Sequence, residues 1–184
     1  MATADQIMAL YRSHFSAFVR FAFRELHPGQ ALVDTWHIDV VAEYLDRVAR
    51  GKIKRLIINL PPRTMKSLSA SIALPVWLLG RNPRLRIMSV AGTRELTRDF
   101  DQATRELIGS PRCRAMFPYL RIEGAKGDIR LPHDGRRMTG VVGGTLVGRG
   151  ADLIIVDDPI APAHVHDASR RSTINKWFDA EVIQ

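Results

Sequence analysis

The sequence predicts an α/β fold in which helices flank a mainly parallel central sheet. Three short apolar runs, at residues 56–58, 85–90 and 152–158, have the composition of strands that are buried on both faces of such a sheet. A turn and a helical pattern follow each of the first two runs. Because successive β–loop–α units are joined by right-handed crossovers, this order indicates parallel strands covered by helices.

The composition is that of an ordinary globular chain. With 184 residues, of which 46% are hydrophobic and 25% charged, the chain is long enough for one domain with its own core. We divide it into an N-terminal helical segment, residues 1–33, and a sheet domain, residues 34–184. The net charge of +8 favours an acidic partner such as nucleic acid, with a solvated basic surface as the alternative.

Cysteine usage and hydropathy exclude several classes of protein. Cys113 is the only cysteine, so there is no disulfide framework and no cysteine-based zinc site, as expected of a reducing compartment. No apolar run reaches the length of about 18 residues that a membrane-spanning helix needs. We expect no secretion signal at the N-terminus, because a charged amphipathic pattern stands where an apolar core would be required.

Two helices are predicted ahead of the sheet. Apolar residues recur at three- and four-residue steps over residues 5–26, which is typical of an amphipathic helix, and His-Pro-Gly at 27–29 ends it. A second helix begins after Asp34 or Thr35 as its N-cap and ends before Gly51. We expect both helices to pack on the sheet.

The remaining elements follow the second apolar run. Thr93 is predicted to cap a helix that extends to about residue 108. Residues 110–140 are less regular, and the short strands predicted in this region are antiparallel and cover residues 120–122, 128–131 and 137–142. A last helix is predicted over residues 167–182.

The stretch RLIINLPPRTMKS, residues 55–67, joins the first predicted strand to a helix. Its two prolines stop the strand, and Lys66-Ser67 opens the helical pattern. Strand, loop, Lys-Ser and helix is the layout of a phosphate-binding loop. The common pattern G-x-x-x-x-G-K-S/T is not met, because Leu60 or Pro61 and Met65 occupy the glycine positions.

A triphosphate needs backbone N–H donors curled around it, an ammonium group, and a hydroxyl that holds Mg²⁺ at a helix N-terminus. The backbone of residues 64–67 can supply the donors, Lys66 the ammonium group and Ser67 the hydroxyl. Taken alone, the stretch is equally compatible with a proline-rich turn that carries an exposed lysine.

The run DLIIVDD, residues 152–158, ends in two acids and follows the glycine-dense stretch GGTLVGRG. Ligands of open α/β sheets bind at the carboxyl ends of the strands. Asp157 is therefore suited to hold Mg²⁺ together with Ser67, and Asp158 to orient and activate an attacking water. Two adjacent acids can also cap a helix or turn, but their pairing with the Lys66 loop favours a nucleoside-triphosphatase site.

Four stretches together resemble the ATPase domain of the large terminase subunit of tailed bacteriophages: RLIINLPPRTMKS, GRNPRLRIMSVAG, GGTLVGRGADLIIVDDP and ASRRSTINKWFD. The similarity covers residues 36–178. The family commonly spells its phosphate loop with Pro-Pro-Arg and places Gly or Met before Lys-Ser, so Met65 is a family variant. The resemblance implies a P-loop NTPase fold of the ASCE, RecA-like class, with ATP and Mg²⁺ as cofactors.

The resemblance also implies a biological setting. ATP hydrolysis would drive double-stranded DNA into a preformed capsid, in the cytoplasm of the bacterial host. The implied partners are the DNA, a portal protein, a small terminase subunit and further copies in a homo-oligomeric ring. The family's large subunit also has a C-terminal nuclease domain with metal-binding acids, and because nothing in this sequence corresponds to it, we expect a C-terminally incomplete ATPase domain without DNA cleavage.

Individual residues receive roles from the same resemblance. Lys66 and Ser67 would bind phosphate and Mg²⁺, Asp157 would hold Mg²⁺, and Asp158 would be the catalytic carboxylate, at a position where many motors of this class carry Glu. The other residues implied to line the phosphates are Pro62, Arg63, Thr64 and Met65.

Three further positions have an open interpretation. Arg149, between two glycines, is the candidate arginine finger, with a loop arginine as the alternative. His37 lies where the family receives the adenine base, although a histidine at a helix start is the simpler interpretation. The pair His164 and His166 is more typical of a surface loop than of a metal site. Two other functions remain possible, a helicase-like ATP-driven nucleic-acid enzyme and an inactive remnant that binds nucleotide or a partner without turnover.

Overall fold

The structure of the chain is a computed structural model that describes residues 3–146 and 150–183. It confirms an α/β fold with a small, mostly parallel sheet flanked by helices. The four-stranded sheet has the order β2-β3-β1-β4. Its strands are β1 (Arg86–Ala91), β2 (Asp128–Arg130), β3 (Arg136–Val141) and β4 (Leu153–Asp157).

The helices are α1 (Ala4–Ser13), α2 (Phe15–Leu26), α3 (Trp36–Ala49), α4 (Leu74–Arg81), α5 (Arg94–Gly109), α6 (Pro111–Met116) and α7 (Ala168–Glu181). A π-helical segment, Leu68–Ala73, leads directly into α4, and a short 3-10 turn spans Pro162–His164. Within the described ranges, no helix combines the length and the apolar character that crossing a membrane requires.

The register of the sheet fixes which residues meet at its carboxyl edge. Strand β1 pairs in parallel with both β3 and β4, whereas β2 pairs antiparallel with β3. Ala91 at the end of β1 lies opposite Val141 on one side and Asp157 on the other. Asp157, at the end of β4, and Asp158, directly after it, therefore lie beside the turn that follows β1.

The core has two parts, one on each face of the sheet. Ile87 and Met88 are neighbours in β1 but belong to different apolar clusters, because side chains alternate across a strand. The larger cluster lies between the sheet and helices α2 to α5, around the fully buried Trp77. The smaller cluster packs α7 onto the other face through Trp177, whose Nε1 donates to the carbonyl of Gly144 at 2.7 Å.

The strand predicted for residues 56–58 is wrong. This segment lies outside the sheet, and Ile57 is 86% exposed. A strand needs a hydrogen-bonded neighbour, and the two edges of the described sheet, β2 and β4, do not pair with this segment. A short apolar run alone is therefore not sufficient to form a strand here.

The single helix predicted for residues 5–26 is in fact two helices that meet at His14. His14 has extended backbone angles, φ −121° and ψ 110°, and ends α1 while it begins α2. Ser13 favours this break, because its hydroxyl donates to the carbonyl of Ala9 at 2.7 Å and contacts the His14 ring. The break lets α2 turn its buried face, which includes Phe15 and Phe18, towards the core.

Other boundaries agree with prediction. Thr35 is the N-cap of α3, and Gly51, just past its end, has a φ of +69°. Thr93 caps α5 by accepting a hydrogen bond from the amide of Leu96 at 3.2 Å. Strands β2 and β3 occur near their predicted positions, but residues 120–122 form no strand because their neighbourhood pairs only through the isolated bridge between Glu123 and Arg130.

Candidate active site

The loop before Lys66 contains two residues in the backbone conformation that favours glycine, although neither of them is glycine. Arg63 and Met65 both have φ +62°, in the left-handed region that favours glycine. Met65, directly before Lys66, occupies the second glycine position of the common phosphate-loop pattern. Each non-glycine residue in this conformation costs about 1–2 kcal/mol. The loop thus has glycine-like geometry without glycine.

Hydrogen bonds close the loop and tie it to the start of α3. Thr64 donates its hydroxyl to the carbonyl of Pro61 at 2.7 Å. The carbonyl of Thr64 lies 3.3 Å from Nε2 of His37, and Nδ1 of His37 lies 2.9 Å from the hydroxyl of Thr35. Because the carbonyl can only accept, Nε2 is the donor in this contact. The structure therefore brings His37 to the loop.

Lys66 and Ser67 are the first helical residues after the loop, and both are half-buried. The Lys66 ammonium donates to Oδ1 of Asp158, and it lies 3.4 Å from Oδ1 of Asp157. Partial burial acts to lower the pKa of Lys66, but the hydrogen bond to Asp158 and the charges of both carboxylates outweigh it, so the net pKa lies above its ordinary value. The lysine is thus a firmly protonated cation.

The two acids have different environments. Asp157, the last residue of β4, is buried, and its Oδ2 accepts a hydrogen bond from the hydroxyl of Ser71 at 2.6 Å. The side chain of Asp158 is 54% exposed, and its backbone has a φ of +42°. One acid is therefore fixed inside the protein, whereas the other faces the loop and solvent.

Sequence reasoning missed two residues of this site. Gly92, after β1, approaches the carbonyl of Asp158 so closely that a Cβ at position 92 would lie 2.2 Å from that oxygen. Ser71 contacts Asp157. Gly92 could have been expected near the site, because the carboxyl ends of adjacent parallel strands lie side by side. The four-residue spacing between Ser67 and Ser71, which places both on one helix face, indicates Ser71.

The remaining predicted residues are placed as follows. Pro62 and Arg63 are exposed on the loop. Arg149 lies outside the described residues, so it has no geometry to compare. His164 ends the 3-10 turn, and within the described ranges no group of three or more His, Cys, Asp or Glu side chains is arranged to hold a metal ion.

The groups in this arrangement have the chemistry to bind an anion and to accept a proton. A helix start, backbone amides and an ammonium group are the components of an anion site, and two carboxylates lie beside them. Oxygen ligands for a hard cation could come from Asp157 and Ser67. No model of a known protein family matches the chain, and no curated protein matches it significantly. The chemistry assigned to the site therefore rests on its own residues.

Proposed function

We propose that this chain is an ATP-hydrolysing motor domain with a P-loop NTPase fold of the ASCE, RecA-like class, similar to that of the large terminase subunit of tailed bacteriophages. The observation that carries the proposal is the meeting of Lys66, at the start of the helix, with Asp157 and Asp158, at the end of β4. These groups are separated by about ninety positions in sequence, yet the fold supplies one cation and two anions at one edge of the sheet.

The loop would bind the β- and γ-phosphates of ATP. The backbone amides of residues 64–67, at a helix start, would direct partial positive charge towards the phosphates. The Lys66 ammonium would leave the carboxylates and bind the phosphates instead. Pro62 and Arg63 lie exposed on the same loop, and Arg63 would face the phosphates. His37 would hold the loop in place through Thr64 or contact the base.

The chain's oxygen donors fit a magnesium ion. Asp157 has one carboxylate oxygen bound by Ser71 and the other directed towards Lys66, and Ser67 stands at the helix start. Ser67, Asp157 and phosphate oxygens are the hard ligands that this cation prefers. When bound, Mg²⁺ would neutralise charge on the phosphates.

Asp158 would orient and activate the attacking water. Its side chain is partly exposed and lies beside Lys66, where the terminal phosphate would bind. A carboxylate in that position accepts a proton from water as the bond to phosphorus forms. Arg149 would serve as the arginine finger that stabilises charge on the transferring phosphoryl group.

The proposed partner is double-stranded DNA, whose phosphates match the net charge of +8 and need no base-specific contact. Translocation into the procapsid would involve a portal protein, a small terminase subunit and a ring of identical chains, in the cytoplasm of the bacterial host. Nuclease activity is not part of the proposal.

An ATPase assay with and without double-stranded DNA tests the proposal. We expect turnover by the wild type and its loss in Lys66→Ala and Asp158→Asn, while the exposed Lys52→Ala serves as a matched lysine control and retains activity. If the wild type binds nucleotide yet turns it over no faster than the two site variants, the chain is a nucleotide-binding remnant instead of a motor. Separation of DNA strands by the wild type would favour the helicase-like alternative.

A further inference from the structure

Ser71 is a buried hydroxyl that no role described above uses. It is 1% exposed, and it donates at 2.6 Å to Oδ2 of Asp157, which is itself 5% exposed. This bond fixes which carboxylate oxygen faces inward. Oδ1 is left on the side of Lys66, at 3.4 Å from its ammonium nitrogen. Asp157 is thus held by one neutral donor and left with one oxygen towards the phosphate loop.

Pro75 explains why Ser71 lies in a widened turn. In a regular α-helix, the ring of Pro75 would clash with the carbonyl of the residue four positions earlier, which is Ser71, and proline has no N–H to donate to it. The π-helical segment Leu68–Ala73 immediately precedes this proline. In that segment the amide of Leu74 bonds the carbonyl of Ser69, five positions back. Turns of this kind recur at functional sites.

Arg137 takes over the carbonyl of Ser71. Its Nη2 donates to that oxygen at 3.3 Å from β3, and the side chain is fully buried. Nη1 of Arg137 lies 3.6 Å from Oδ1 of Asp101 in α5. A buried charge is costly unless it is paired, and the contacts of this guanidinium are with the Ser71 carbonyl and the Asp101 carboxylate. Ser71 is therefore held on both its backbone and its side chain.

Ser67 and Ser71 are four residues apart along one helical segment and therefore share a face. The residue that would bind the metal ion and the residue that bonds the metal-binding carboxylate are thus neighbours on that face. We propose that Ser71 is a positioning residue that orients Asp157 for a divalent cation, held in place by the Pro75-induced turn and by Arg137. This inference rests on the function proposed above.

Metal affinity measured without turnover tests this role. We expect Ser71→Ala to weaken binding of Mn²⁺, observed by electron paramagnetic resonance in the presence of ADP, by about 10- to 100-fold, as is typical when a partner that orients a metal ligand is removed. Affinity for ADP in EDTA should be unchanged, because Ser71 contacts Asp157 and not the loop amides. Ser71→Thr, which keeps the hydroxyl, should restore Mn²⁺ binding.

Ser69→Ala is the matched control. Ser69 lies in the same π-helical segment and is 3% exposed, but the hydrogen bond to Asp157 comes from Ser71. We expect it to bind Mn²⁺ as the wild type does. Wild-type affinity in Ser71→Ala, or an equal loss in Ser69→Ala, would overturn the positioning role. A wild-type chain that binds neither ADP nor Mn²⁺ with ADP would instead overturn the proposed function, and this inference with it.

Discussion

At the residue scale, the charged side chains of the candidate site contact one another. Lys66 bonds Asp158 and lies near Asp157, so the ammonium that would bind phosphate is already engaged by carboxylates. Under the proposed function, binding of a triphosphate would exchange one anionic partner of Lys66 for another. The exchange would free Asp158, whose exposed side chain could then turn towards a water molecule. Ligand binding and release of the candidate base would then be coupled through Lys66.

The first prediction follows from this competition. Asp158→Asn removes the anion that occupies Lys66, so we expect ATP to bind several-fold more tightly while hydrolysis falls by about 10²- to 10⁴-fold, the usual contribution of a general base. Titration with a fluorescent ATP analogue and Mg²⁺ measures the first effect, and phosphate release measures the second. The exposed Asp179→Asn should alter neither quantity. Weaker ATP binding by Asp158→Asn would contradict the competition.

A second prediction concerns Gly92. Gly92→Ala would place a methyl group 2.2 Å from the carbonyl oxygen of Asp158, so the backbone after β4 must shift. We expect a loss of about 1–3 kcal/mol in the free energy of unfolding, as for other overpacked sites, together with reduced ATP turnover. Gly109→Ala is the control, because its Cβ would meet its nearest neighbour, Arg114, only at 4.0 Å. Urea unfolding followed by circular dichroism measures both variants, and equal stability would refute the close approach.

At the scale of secondary structure elements, local signals predicted what local interactions determine. Thr93 and Gly51 mark helix ends because a side-chain cap and a positive φ are properties of one or two residues. The missed features depend on partners that are distant in sequence. Residues 56–58 have the apolar composition of a strand, but no strand of the described sheet pairs with them. Pro75, which favours the π-helical segment, can be identified in the sequence. The residue that binds the freed carbonyl of Ser71 is Arg137 in β3, and this partner is distant in sequence.

The candidate site shows the same division. The Lys66 loop and the paired acids could be located from the sequence because each is a short motif at a helix start or strand end, whereas the phosphate-binding role of the loop stays a prediction. Their meeting followed only from the rule that ligands bind at the carboxyl edge of a parallel sheet. The Ser71–Asp157 bond and the Gly92 contact depend on ångström-scale packing between elements, which sequence periodicity does not encode.

The third prediction tests a helix cap at the edge of the site. Thr93→Ala removes the acceptor for the amide of Leu96, so we expect a loss of about 1 kcal/mol in the free energy of unfolding. Thr93→Ser keeps the hydroxyl and should retain most of the stability. The denaturant midpoints of the two variants, compared at equal m-values, measure the contribution of the cap to stability. A Thr93→Ala midpoint equal to that of the wild type would show that the cap is energetically silent.

At the scale of the whole molecule, Cys113 reports on the larger core. It lies at 0% exposure within the cluster that joins α2 to α5. Burial raises the pKa of the Cys113 thiol to about 12, and the charge of Glu25 adds to the effect. Because the thiol ionises near pH 9 in the unfolded chain, its contribution to stability is complete below that pH and is lost as the pH rises towards 12.

The fourth prediction follows. We expect the native protein to resist a thiol-reactive disulfide reagent at pH 8 and the unfolded protein in urea to react completely, since only an accessible thiolate is nucleophilic. The labelling rate against urea concentration should track the unfolding curve. Thermal unfolding at pH 8 and at pH 10 should show lower stability at the higher pH. Fast stoichiometric labelling of the native chain would contradict the burial of Cys113.

Strand β4 ends at Asp157, directly before Asp158, and in the described part of the chain it pairs only with β1. Amide groups on its outer side therefore bond no strand of the described sheet, and edge strands open with less free energy than central ones. Hydrogen exchange should be faster along β4 than along β1, which is bonded on both sides. The carboxylates of the proposed ATPase are thus attached to the less protected of two adjacent strands, so we expect opening of this sheet edge to move them away from Lys66.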